Sequence, residues 1–114
     1  MRISAHRLAA MATVAAAAKP STVYVVTGAT DGIGRLTAQK LGADGLHVAV
    51  HGRTQSKVDA VVAEVEQNGG SARGFVADLS SMSDVRRLGA EIVEAYDSID
   101  GLLNNAGTFS GDYT

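Results

Sequence analysis

From Thr22 to Asn104 the hydrophobic and polar positions follow two alternating periods. Val23-Tyr24-Val25-Val26 is an unbroken β-branched and aromatic run, which predicts a strand buried on both faces. A Gly-rich turn comes next, then a helix over about 33–43 with Ile33, Leu36 and Leu41 on its apolar side, closed by Gly42 and Gly45. Leu46 to His51 predicts a second strand that Gly52 ends. Val58, Val61, Val62 and Val65 fall at i, i+3, i+4 and i+7, giving a second helix over 55–68 with Asn68-Gly69-Gly70 as its stop. Ser71 to Ala77 predicts a third strand with Gly74 inside it. Ser83 is the expected N-cap of a third helix carrying Val85, Leu88, Ile92 and Tyr96, and Gly101 to Asn104 is a fourth, short strand. Strand–helix alternation with short turns implies βαβ units, right-handed crossovers and a parallel sheet.

The expected class is therefore α/β: about four strands and three helices, the N-terminal half of a Rossmann-type doubly wound parallel sheet with one strand beyond its switch point. With nothing further to pair it, the fourth strand is an edge, with Leu102 and Leu103 on it.

Composition divides the chain in two. Met1 to Lys19 carry Arg2, His6, Arg7 and Lys19 but no acid, and the first acidic residue is Asp31. Such an Ala-rich, acid-poor leader suits an organelle transit peptide. The run from Leu8 to Ala18 also passes for a weak signal-peptide core, and a disordered start with Met11 as initiator is a third reading. Residues 1–20 are thus a leader and 21–114 a single domain. A transit peptide would send the protein to mitochondrion or plastid; without one the cytoplasm is expected. There is no cysteine among the 114 residues, which excludes disulfides, thiolate zinc sites and cysteine nucleophiles. A net charge of −2 leaves no electrostatic footprint for nucleic acid. No apolar run approaches the roughly 18 residues of a membrane span.

The chemistry lies in Thr27-Gly28-Ala29-Thr30-Asp31-Gly32-Ile33-Gly34, which joins the first strand to the first helix. A dinucleotide diphosphate needs backbone N–H groups at close range, and the positive end of the following helix favours it. In that role Gly28 makes the sharp turn, Gly32 the close approach, and Gly34 lets helix and strand pack. The alternative is a Gly-rich turn without a ligand. Elsewhere, His47 and His51 are four apart on a strand, about 13 Å at roughly 3.3 Å per residue, too far to share an ion. Asp84, Glu91 and Glu94 form a solvated helix face.

The spacing Thr27-Gly28-x-x-x-Gly32-Ile33-Gly34 resembles the cofactor motif of the short-chain dehydrogenases/reductases. Asp78-Leu79 follows the third strand, where that family places an acid and an amide around the adenine edge. Asn104-Asn105-Ala106-Gly107 follows the fourth strand and is similar to the family's Asn-Asn-Ala-Gly, which lines the adenosine side and steadies the sheet. The resemblance runs from about Thr22 to Gly107. It implies hydride transfer between nicotinamide and a carbonyl or alcohol carbon, with Thr27, Gly28, Thr30, Asp31, Gly32, Ile33, Gly34, Asp78, Leu79, Asn104, Asn105, Ala106 and Gly107 on the cofactor.

The end of the second strand selects the cofactor. An NAD enzyme places an acid there for the ribose 2′-hydroxyl, and an NADP enzyme a cation near the 2′-phosphate. Here stand His51-Gly52-Arg53, with no acid, and the Arg53 fork suits phosphate oxygens. NADP(H) is expected over NAD(H). Asp31 argues slightly against this, because many NADP-using members of the resembled family carry a basic residue in that place.

In that family the proton chemistry belongs to a Ser and a Tyr-x-x-x-Lys after a fifth strand. Neither Tyr24, Tyr96 nor Tyr113 is followed by a lysine four residues on. The chain therefore reads as the cofactor-binding part of a longer reductase, inactive alone and meeting a carbonyl or alcohol substrate only if longer. The other readings are a non-catalytic NADP(H)-binding module and an inactive fragment. Homo-oligomers are common in the family and are an open expectation here.

Overall fold

The computed structural model describes residue 20 and residues 22–107. The leader over 1–19 and the chain beyond 107, Tyr113 included, lie outside the described residues. Four strands and three helices alternate: β1 Val23–Val26, α1 Gly32–Ala43, β2 His47–Gly52, α2 Gln55–Gln67, β3 Ser71–Val76, α3 Met82–Ala95 and β4 Gly101–Leu103. The strands form one sheet in the order β3-β2-β1-β4, and every pairing is parallel. Strand order reverses at β1, so the crevice outside the carboxyl ends of β1 and β4 is a switch point.

Side-chain alternation along the strands feeds two cores. Val26, Val48 and Val50 point to one face and pack with Ala38 of α1 and with Val58, Val61 and Val65 of α2. Val23, Val25, Ala49 and Phe75 point to the other, where they meet Leu88 of α3 and Tyr96. Because both faces are covered there, β1 and the middle of β2 read as continuous apolar runs rather than as alternating ones.

The structure corrects the expected face of α1. Ile33 and Leu36 are 73% and 53% exposed, and the buried positions are Gly34, Ala38 and Gly42, spaced four apart. A methyl group on Gly42 would stand 2.8 Å from Val65 Cγ1 and 3.0 Å from the Val65 carbonyl oxygen, so α1 and α2 approach through a face of small residues. Gly42 therefore lies within the helix; its cap is Asp44, followed by Gly45 with φ +78°. The N-cap of α3 is Ser81 rather than Ser83: its Oγ accepts from the Asp84 N–H at 3.4 Å. Ser83 already has helical conformation. At the far edge, Val23 N–H donates to Asp100 Oδ2 and Asp100 N–H to the Val23 carbonyl, both at 2.8 Å, tying β4 to β1. Leu102 and Leu103 on that strand are 60% and 38% exposed, as expected of an edge.

Candidate functional site

β1 ends at Val26, and the turn after it is fastened to β2, to β4 and to the segment after β4. The Thr27 hydroxyl oxygen, buried, accepts from Asn105 N–H at 3.0 Å and Ala106 N–H at 3.1 Å. Asn105 Nδ2 donates back to the Gly28 carbonyl at 3.2 Å, and Thr27 N–H donates to the Leu103 carbonyl at 3.1 Å. These bonds lock the turn to the segment after β4. Towards β2, Gly28 N–H donates to His51 Nδ1 at 3.0 Å and Ala29 N–H to the His51 carbonyl at 2.8 Å. The other ring nitrogen, His51 Nε2, donates to the Ala77 carbonyl at 2.9 Å, beyond the end of β3. His51 is 2% exposed.

Two glycines in this turn answer different demands. Gly28 has φ +61°, and a Cβ there would lie 2.9 Å from Ala106 Cα. Gly34 sits under the turn: a Cβ would stand 2.4 Å from the Gly28 carbonyl oxygen and 2.6 Å from Asn105 Nδ2. Its close contact is thus with the turn and the β4 segment, rather than with a strand as its spacing suggested. Around Gly32 there is open space.

The walls enclose a cleft of about 260 Å³ at the carboxyl ends of the strands, lined by Gly28, Thr30, Asp31, His51, Gly52, Arg53, Leu79, Asn105, Ala106 and Gly107. That is just below the usual range for sites that swallow a whole small ligand, and suits part of a dinucleotide. Eight of the residues predicted from the sequence meet there: Gly28, Thr30, Asp31, Arg53, Leu79, Asn105, Ala106 and Gly107. Thr27 and Gly34 are buried and support the turn from beneath. Gly32, Ile33 and Asn104 are exposed and do not line the cleft. Asp78 is also exposed and off its wall; the Ser80 hydroxyl and N–H donate to Asp78 Oδ1 at 2.7 and 3.0 Å. Those bonds, with a smaller pull from Arg53, hold its carboxyl below the usual range. His51 and Gly52 complete the wall. From the sequence alone His51 reads only as a candidate metal ligand, and the available signal is a polar side chain at the end of a buried strand.

The start of α1 can hold an anion. The first N–H groups of a helix have no intrahelical partner, and the dipole concentrates positive charge there. In α1 those groups belong to Gly32, Ile33 and Gly34. The N-cap, Asp31, makes no side-chain cap bond and the first turn holds no acid. The start of α3 is filled instead, by Ser81 Oγ and by Asp84 in its first turn. Arg35 is turned away to Glu64 on α2. Among the described residues no group of His, Asp or Glu is arranged to hold a metal, and no helix is long and apolar enough to cross a membrane.

The short chain dehydrogenase family model matches residues 22–113. The chain is 41% identical over 85 residues to a fatty acyl-CoA reductase of Acinetobacter baylyi, covering 75% of this chain and 29% of that protein. A metagenomic short-chain oxidoreductase solved in complex with NADP superposes with a TM-score of 0.73 at 37% identity, covering 79% of this chain and 41% of that one. An NAD⁺-bound xylitol dehydrogenase gives 0.70 at 33% identity, covering 76% and 34%. The chain spans about a third of the length of the curated relatives it matches.

Proposed function

The chain belongs to the short-chain dehydrogenase/reductase family, and from that premise we propose that residues 21–114 are the NADP(H)-binding part of an oxidoreductase. The reaction is hydride transfer between nicotinamide and a carbonyl or alcohol carbon. The observation that carries this reading is a pairing across one cleft: Thr30 and Asp31, which lead into the uncapped start of α1, on one wall, Arg53 on another, and no carboxylate at the end of β2. Similar proteins are held with NADP in one structure and NAD⁺ in another, so the choice of cofactor rests on this chain's own side chains.

In this reading the first-turn amides of α1 face the diphosphate, and the Arg53 guanidinium forks onto the 2′-phosphate. Leu79, Ala106 and Gly107 supply a largely apolar wall for the adenosine end. The nicotinamide, when bound, supplies the hydride chemistry. Tyr24 lies in β1 and Tyr96 is buried at the end of α3, and neither has a lysine four residues on, so they take no part in proton transfer.

The test is calorimetric titration of NADPH and NADH into the protein and its Arg53→Ala variant. Loss of a charge-assisted bond should weaken NADPH by about 1–3 kcal/mol and leave NADH nearly unchanged. Equal loss for both removes the NADP preference, and no binding of either removes the cofactor reading altogether.

A further inference from the structure

Within the cleft, His51 faces two partners that cannot change role. Gly28 N–H can only donate, so Nδ1 must be unprotonated; the Ala77 carbonyl can only accept, so Nε2 must carry the hydrogen. The ring is held as a single neutral tautomer, buried, and spans from the glycine turn to the end of β3. A second proton would set a ring N–H against the Gly28 N–H and break the only side-chain bond that, among the described residues, fastens the turn to β2. The turn's remaining tie to that strand is the Ala29 N–H on the His51 carbonyl.

We propose that His51 is a positioning residue for the cofactor: its neutral ring, held as one tautomer, latches the Gly28 turn in the shape that presents the start of α1. The inference rests on the cofactor reading above for its consequence, though the latch itself stands on geometry alone.

Two variants separate the ring's two jobs. Asparagine places its Oδ1 where Nδ1 sits and keeps an acceptor for Gly28 N–H without titrating. Glutamine places its amide where Nε2 sits, keeping a donor for Ala77 and leaving Gly28 N–H unpaired. At about pH 8, His51→Asn should bind NADPH nearly as wild type does, and His51→Gln about three- to tenfold more weakly, the equivalent of one hydrogen bond. Nitrogen NMR of the ligand-free protein gives a readout that needs no cofactor: His51 Nε2 protonated, Nδ1 bare, and a scalar coupling from the Gly28 amide to Nδ1 across the hydrogen bond. The opposite tautomer, or no coupling between Gly28 and the ring, overturns the latch even if NADPH binds. A correct tautomer and a coupled Gly28 amide without NADPH binding leave the latch standing and remove the cofactor reading instead. Equal NADPH affinity in wild type, His51→Asn and His51→Gln overturns the positioning role.

Discussion

β2 carries a histidine near each end, and the two are built into different surroundings. His51, at the carboxyl end, is gripped by two backbone groups whose roles are fixed. His47, at the amino end, lies between two hydroxyls: Nδ1 is 2.7 Å from Ser71 Oγ and Nε2 is 2.7 Å from the Tyr96 hydroxyl. A hydroxyl rotates and can donate or accept, so His47 satisfies both partners in either tautomer. Tyr96 also meets the ring edge-on, with centroids 5.2 Å apart, and joins Phe75 in the α3-side core. The contrast separates a part that must hold one shape from a part that need only hold together. At the carboxyl end the strands converge on a cleft beside the start of α1, whose N-cap side chain leaves the first-turn donors open; at the amino end the polar groups satisfy one another and close the core.

The comparison is most severely tested at Gly34. Alanine there would drive a methyl into the Gly28 carbonyl oxygen at 2.4 Å, a backbone atom that cannot swing aside. Overpacking of this kind should cost about 1–3 kcal/mol in chemical denaturation and abolish NADPH binding. Gly89→Ala, in α3 with open space around it, is the control and should stabilise by roughly 0.5–1 kcal/mol. If the two glycines tolerate alanine equally, the turn is not the rigid end of the molecule.

A smaller effect is expected at the other end. Tyr96→Phe keeps the buried ring and removes one hydroxyl, so it should cost about 0.5–1.5 kcal/mol in thermal or chemical unfolding. NADPH affinity should not change, because the residue lies away from the cleft. A change in affinity would mean that the two ends of β2 are coupled.

The smallest expected effect is a pH dependence of stability. Burial first, and Arg73 second, lower the His47 value below that of a free histidine, while burial pushes the Tyr96 hydroxyl up to about 12. A lowered value in the folded protein means that the unfolded chain binds more protons on acidification. Stability is then complete above the usual histidine value and declines as pH falls through it towards the lowered folded one. Unfolding midpoints measured between about pH 8 and pH 5 should decline less in His47→Gln than in wild type. Coincident profiles would show that the half-buried ring contributes nothing to the pH response.

Much of the fold was legible because its signals are local and bulky. Val23 to Val26 and the Val58, Val61, Val62 and Val65 stripe announce a buried strand and a buried helix face, and both form. The face of α1 was misjudged because periodicity weighs large apolar side chains, whereas α1 packs through Gly34, Ala38 and Gly42. Ser81 and Ser83 are both competent N-caps in sequence; only the extended backbone at Ser81, with Asp84 three residues on, distinguishes them. In the candidate site, the glycine turn, Arg53 and the Asn105-Ala106-Gly107 segment were readable from their places after strands. His51 was not, since nothing beside it in the chain reveals its partners.

The amino-acid sequence by itself determined the alternation of elements, the parallel sheet they must form, and the glycine turn at the head of α1. These follow from periods of two and 3.6 residues and from turn chemistry, which act over a few neighbouring positions. Tertiary structure alone decided which face of α1 is buried, which side chains wall the cleft, and what His51 and Thr27 do. Those outcomes depend on hydrogen bonds that join residues 23, 26 and 78 positions apart, which exist only once the parallel strands have brought their ends together.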